Sequence, residues 1–149
     1  MVTVEDNLVL IQQGAGAEAV YAGKRAWARD PAPAAGEVIR GDEAIAQAFA
    51  DQRTDLMVEF TGRVQRTLPD ELTGRPQQRF IVELDNGHLL LVSHDLNYAD
   101  RVPLDAWDTV HIRGEYQWNA QGGLVSWTHR DPGIGLKHGW IDFKGRRYQ

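Results

Sequence analysis

The chain contains no cysteine. That absence excludes disulfides, thiolate metal ligands and a cysteine nucleophile together. It leaves the compartment open, because a cysteine-free protein is at home on either side of a membrane. Serine is nearly as scarce, with Ser93 and Ser126 alone. Ser126 stands three residues before His129, on the opposite face of a regular strand, and Ser93 lies beside His94 with the same mismatch. A Ser/His/Asp nucleophilic triad is therefore disfavoured. No apolar run reaches membrane-spanning length, so no membrane insertion is expected. The opening Met1–Asp6 lacks the basic and apolar segments of a signal peptide. As written, the chain is expected to be soluble and cytoplasmic, or exported if a leader has been removed.

What is present is ordinary for one globular domain. The 149 residues are 42% hydrophobic and 25% charged, with a net charge of −5. The charge is uneven. Residues 130–149 carry Arg130, Lys137, Lys144, Arg146 and Arg147 against Asp131 and Asp142. A basic tail attracts a polyanion locally, but the acidic body argues against a general nucleic-acid binder, whose affinity rests on basic residues meeting phosphate.

Residues 1–41 read as an N-terminal arm and linker. Leu8–Ile11 suffices for a short strand or buried arm, Gly14–Ala17 breaks it, and 30–36 is rich in Pro and Ala. This arm is expected to pack on the domain and not to form a second one. A helix should follow, capped by Asp42, with Ile45, Ala48 and Phe49 on one face and an end near Gln52. The rest is β. Leu56–Arg66 is a long extended run with Val58, Phe60 and Val64 alternating and Gly62 at a bend. Residues 79–84 and 88–94 make a hairpin through Asp85-Asn86-Gly87, where Asn and Gly both tolerate positive φ. Residues 109–118 form a fourth strand with Val110, Ile112, Tyr116 and Trp118 on its apolar face. Residues 124–129 form a fifth that delivers His129 to its last position. A terminal hairpin turns at Lys144-Gly145.

Five such strands predict a mainly β fold: an OB-like five-stranded barrel with an N-terminal helix and a C-terminal hairpin, spanning 42–149 as a single domain. A small open antiparallel sheet or sandwich fits the same periodicity. Phe80, Val82, Val110 and Ile112 should be buried.

The ordered string Gln78-Arg79-Phe80-Ile81, Leu91–Asp95, Arg101–Leu104, Arg113–Asn119, Trp127–Pro132, His138–Ile141 and Gly145–Gln149 resembles a bacterial domain family of unknown function over roughly residues 55–149. The resemblance implies a small β-rich domain, often in exported proteins, with no known activity. It supports treating His94, His129, Asp131 and His138 as one set.

Those residues are the leading chemical candidates. His129, Asp131 and His138 have the donor types of a divalent ion of the zinc or manganese class, with His94 or Asp95 able to complete the set. Without a metal, His129 beside a carboxylate is a general-base candidate. A structural latch explains the same residues: Asp131 caps the loop, and each imidazole bonds backbone. A second constellation, Trp118, Trp127, Tyr116, Arg79 and Arg113, suits an aromatic and basic ligand face. The leading expectation is a binding module for single-stranded nucleic acid or an oligosaccharide. The alternatives are a metal-assisted hydrolase or nuclease using the His/Asp set, and a protein-interaction domain using the N-terminal arm.

Overall fold

A computed structural model describes residues 38–133 and 138–149, together with the backbone of 2–3 and 7–8. Contacts divide the chain into Met1–Ala32 and Pro33–Gln149. In the first unit, β1 (Val2–Thr3) pairs antiparallel with β2 (Asn7–Leu8). The remainder of the expected Leu8–Ile11 strand, and the linker at 30–36, lie outside the described residues.

The described residues of the second unit are mainly β with one short helix. It opens with β3 (Val38–Arg40), a strand not anticipated, which pairs parallel with the start of β4 (Leu56–Glu71). Between them lies α1 (Asp42–Ala50). Asp42 is not its cap. The cap position is Gly41, and Asp42 is the first helical residue. The Asp42 carboxylate instead accepts the Asp85 N–H at 2.9 Å, and the Asn86 side-chain amide donates to the Asp42 carbonyl at 3.2 Å. The helix start therefore clamps a hairpin tip, while its acidic first turn still suits the helix dipole. Ile45 and Ala48 are buried and Phe49 is half-buried.

β4 is the longest of the described strands and, besides β3, pairs with two further strands. Leu56–Arg63 runs antiparallel to β7 (Thr109–Gln117), and Arg63–Glu71 runs antiparallel to β5 (Gln77–Glu83). The handover falls at Gly62-Arg63. A Cβ at Gly62 would lie 2.3 Å from a methyl of Val82, so only glycine admits this approach. β5 pairs with β6 (Leu89–Asp95), β6 pairs parallel with β8 (Leu124–Ser126), and β8 returns antiparallel to β7. The hydrogen-bonded order β4-β5-β6-β8-β7 thus closes on β4 as a ring of five strands. β9 (Trp140–Phe143) extends β7, and β10 (Arg146–Tyr148) completes the terminal hairpin at Lys144-Gly145.

Alternation places the core as expected. Phe80, Val82 and Ile112 are fully buried and Val110 nearly so, with Val58, Phe60, Val64, Leu90, Val92 and Val125. The β5–β6 hairpin forms, although only Gly87 in its tip has positive φ; Asn86 does not. Its Gly87 N–H reaches the Leu84 carbonyl at 2.9 Å, and the Leu84 N–H reaches the His88 carbonyl at 2.9 Å. That is the three-residue hairpin loop in which a glycine supplies the left-handed position.

Gly62→Ala should lower unfolding stability by about 1–3 kcal/mol, because the added methyl overpacks Val82. Gly74→Ala, where a Cβ meets nothing within 4 Å, should cost less, with backbone strain alone at φ +86. Urea midpoints of the two variants check the ranking, and equal losses would contradict it.

Candidate functional site

The fifth strand is shorter than its sequence suggests. It ends at Ser126, and Trp127 turns the chain with φ 54. His129 therefore sits in a turn beyond the strand and not at its last position. The chain returns close by, with the Gly139 N–H donating to the His129 carbonyl at 2.9 Å.

His94, near the end of β6, is fully buried. Its Nε2 lies 2.9 Å from the Asp100 carbonyl and its Nδ1 lies 2.7 Å from Thr128 Oγ1. A carbonyl only accepts, so Nε2–H donates to it and Nδ1 accepts the Thr128 hydroxyl proton. Burial pushes the imidazole pKa below its ordinary value, and the neighbouring His129 acts the same way, against the opposing pull of the Asp100 carbonyl and Asp95. His94 is thus a neutral latch that ties β6 to the 100 turn and to the segment after β8.

His129 is also buried, and its Nδ1 donates to the Arg130 carbonyl at 2.9 Å. Its ring stacks on Tyr98 at 4.7 Å between centroids and tilts against Trp127 at 4.9 Å. The Arg75 guanidinium carbon lies 4.9 Å from the centre of the Tyr98 ring, and the group donates to the tyrosine oxygen at 3.1 Å and pairs with Asp95 at 3.0 Å. The rings of Tyr98, His129 and Trp127 form one column with Arg75 hydrogen-bonded to the tyrosine hydroxyl, and Tyr98 remains 41% exposed. Beside it, residues 96–100 and 146–149 line a half-open pocket of about 250 Å³, bridged by the Arg146–Asp100 ion pair at 2.9 Å.

The other candidates fall elsewhere. Asp131 accepts the Gly133 N–H at 2.8 Å, the geometry of a loop cap, and His138 is exposed. Of the proposed His94/His129/Asp131/His138 set, the structure draws His94 and His129 together. Among the described residues no group of three His, Asp or Glu side chains is placed to hold a metal ion. The five aromatic and arginine candidates do not share a face. Tyr116 points inward, fully buried, with its hydroxyl donating to the Gly122 carbonyl at 3.0 Å. Trp118, just past β7, stacks on Phe49 and donates to its carbonyl at 3.0 Å, which fastens α1. Arg79 donates to the Pro69 carbonyl at 3.1 Å, and Arg113 lies over Trp140 at 4.9 Å. Only Trp127 joins the column.

Arg75, Tyr98 and Thr128 escape a sequence reading. Tyr98 sits in the turn Asn97-Tyr98-Ala99, where no periodicity marks it, and Arg75 lies in the 72–76 loop. The one available signal is the pair of turn-forming stretches flanking β5 and β6.

Fold and site define a small, mainly β domain with a buried histidine latch and a half-open aromatic column. The chain belongs to the family described as Protein of unknown function (DUF3465), whose family model matches residues 31–149. The match begins upstream of residue 55 and takes in β3 and α1. No curated protein matches the chain. Among the described residues no helix is long and apolar enough to cross a membrane.

His94→Ala should destabilise the domain by about 1–3 kcal/mol for the unsatisfied Thr128 and Asp100 groups, before any packing loss. The native imidazole also carries a pH signature. Its folded pKa is depressed, so below the ordinary 6.5 the unfolded chain takes up a proton that the folded chain resists. Stability should fall as pH drops from about 6.5 and level off below the folded pKa. Urea midpoints against pH should show this slope in the native protein and lose it in His94→Ala.

Proposed function

We propose that the five-stranded ring is an OB-like barrel and that the domain is a binding module for an oligosaccharide, with Tyr98 as its stacking platform. The barrel is supported by the closed strand order and by the parallel β6–β8 contact that lets a Greek-key path return to its first strand. The observation that carries the binding function is the column. Tyr98 offers one ring to solvent while His129 and Trp127 back it and Arg75 fixes its hydroxyl. A rigid aromatic face suits the apolar face of a sugar ring, as an aromatic side chain provides large contact area at small entropic cost. The adjoining pocket is lined by polar groups that can meet sugar hydroxyls, among them Asn97, Asp100 and Arg146.

Charge favours a sugar over a nucleic acid. The arginines around Tyr98 are already neutralised: Arg75 by Asp95, Arg146 by Asp100, and Arg101 by Asp70. Few unpaired cations remain there for phosphates, and the whole chain is acidic.

Calorimetry with neutral oligosaccharides, compared with single-stranded oligonucleotides, tests the proposal. Binding to a glycan should vary little with salt. Tyr98→Ala should weaken it about 10- to 100-fold, while Tyr98→Phe keeps the ring and most of the affinity. Oligonucleotide binding that falls steeply with salt would replace the sugar with nucleic acid. No binding of either class would remove the binding function.

A further inference from the structure

We infer that Thr61, His111 and Glu59 form a nucleophile–base–carboxylate relay on the outward face of β4 and β7, able to take an acyl group from an activated ester onto Thr61. None of the three belongs to the histidine and aromatic cluster. They meet because of the β4–β7 register. Thr61 lies directly opposite His111, and Glu59 is two residues back on the same face of β4.

The geometry has a direction. His111 Nε2 is 2.7 Å from Glu59 Oε2, and Nδ1 is 2.8 Å from Thr61 Oγ1. A carboxylate accepts only, so in the neutral ring Nε2 carries the proton and Nδ1 is bare. The Thr61 hydroxyl therefore donates to Nδ1. A hydroxyl within hydrogen-bond reach of a base, which is in turn oriented by a third group, is the signature of an activated nucleophile. Glu59 is held for this role, with the Arg40 guanidinium at 3.6 Å and that of Arg113 at 4.0 Å. Exposure is graded in the same order. Thr61 is open to solvent, the His111 side chain is 37% exposed, and that of Glu59 is 18% exposed. The attacking oxygen is reachable and the orienting carboxylate is screened. Serine scarcity turns attention from this chemistry; the hydroxyl is supplied by threonine, and the histidine comes from the strand before the conspicuous C-terminal run.

The step balances on these atoms. Thr61 Oγ attacks the carbonyl carbon while its proton passes to His111 Nδ1, giving an imidazolium that Glu59 stabilises. The bond to the leaving oxygen breaks, the alcohol departs with that proton, and a threonyl ester remains. Water, deprotonated in turn by Nδ1, attacks the ester. The acid is released and the Thr61 hydroxyl is restored.

The test treats the full chain with 4-nitrophenyl acetate, follows nitrophenolate release, and maps the acetyl group by peptide mass spectrometry. This ester needs little help at the leaving group, so it reports on the nucleophile and base alone. The acetyl group should map to Thr61 in the native chain and to the same position in Thr61→Ser. It should be absent there in Thr61→Val, whose side chain matches threonine in shape and whose folding is checked by its urea midpoint. His111→Gln should slow release at least about a hundredfold, the scale of a positioned general base. Glu59→Gln should slow it less. Acetylation confined to lysines or the amino terminus, release unchanged in Thr61→Val or His111→Gln, or no acetylation at all would each overturn the relay.

Discussion

The shared pairing of β4 is the constraint on which the rest of the structure depends. One strand gives its first half to β7 and its second half to β5, and the exchange happens where Gly62 lets Val82 come close. Without that exchange, β5 and β7 would have no common neighbour, and the sheet would stay open. With it, the inward faces of five strands enclose one core, and Phe60, Phe80, Ile112 and Tyr116 share it. The same closure fixes the outward faces. Register carries Thr61 to His111 and Glu59 to Arg113, so the polar row on that face is a by-product of the ring.

The second organising element is the buried imidazole of His94. Core positions of a small β domain are usually apolar, and a polar group there has to find partners. His94 finds two, on segments that share no backbone ladder with each other there: the Asp100 carbonyl and the Thr128 hydroxyl. The turn at 96–100 and the chain after β8 are thereby held at fixed separation. Tyr98 from the first and His129 and Trp127 from the second can then stack. The aromatic column rests on a hydrogen-bonded support deeper in the molecule.

What is legible in the chain follows from periodicity. Phe80, Val82, Val110 and Ile112 alternate with polar neighbours, and each is buried, because a period of two leaves only one face for the core. Asn86-Gly87 marks the hairpin for a local reason as well. The site is less legible. His94 and His129 stand out by type, but their partners are Thr128, Tyr98 and backbone carbonyls, which carry no spacing rule. The strand at 124–126 reads as longer than it is because Trp127 and Thr128 have high β propensity; only the tertiary contacts show the chain turning at Trp127. Tyr116 and Trp118 are aromatic and share the inward parity of β7, yet one fills the core and the other pins a helix, because β7 ends at Gln117 and Trp118, just past it, meets α1.

The β4–β7 contact has a consequence for how the chain reaches this state. Thr61 and His111 are 50 residues apart in sequence, with the whole β5–β6 hairpin between them. Pairing them loses the entropy of a long loop before many contacts reward it. The β5–β6 hairpin, by contrast, closes through a three-residue turn and needs no other strand. Local β structure can therefore form early and repeatedly, while the ring seals late and slowly, as expected for a topology dominated by distant pairings. During that interval the edges of β4 and β7 are uncovered, and two unfinished chains can pair through them before each has sealed its own ring.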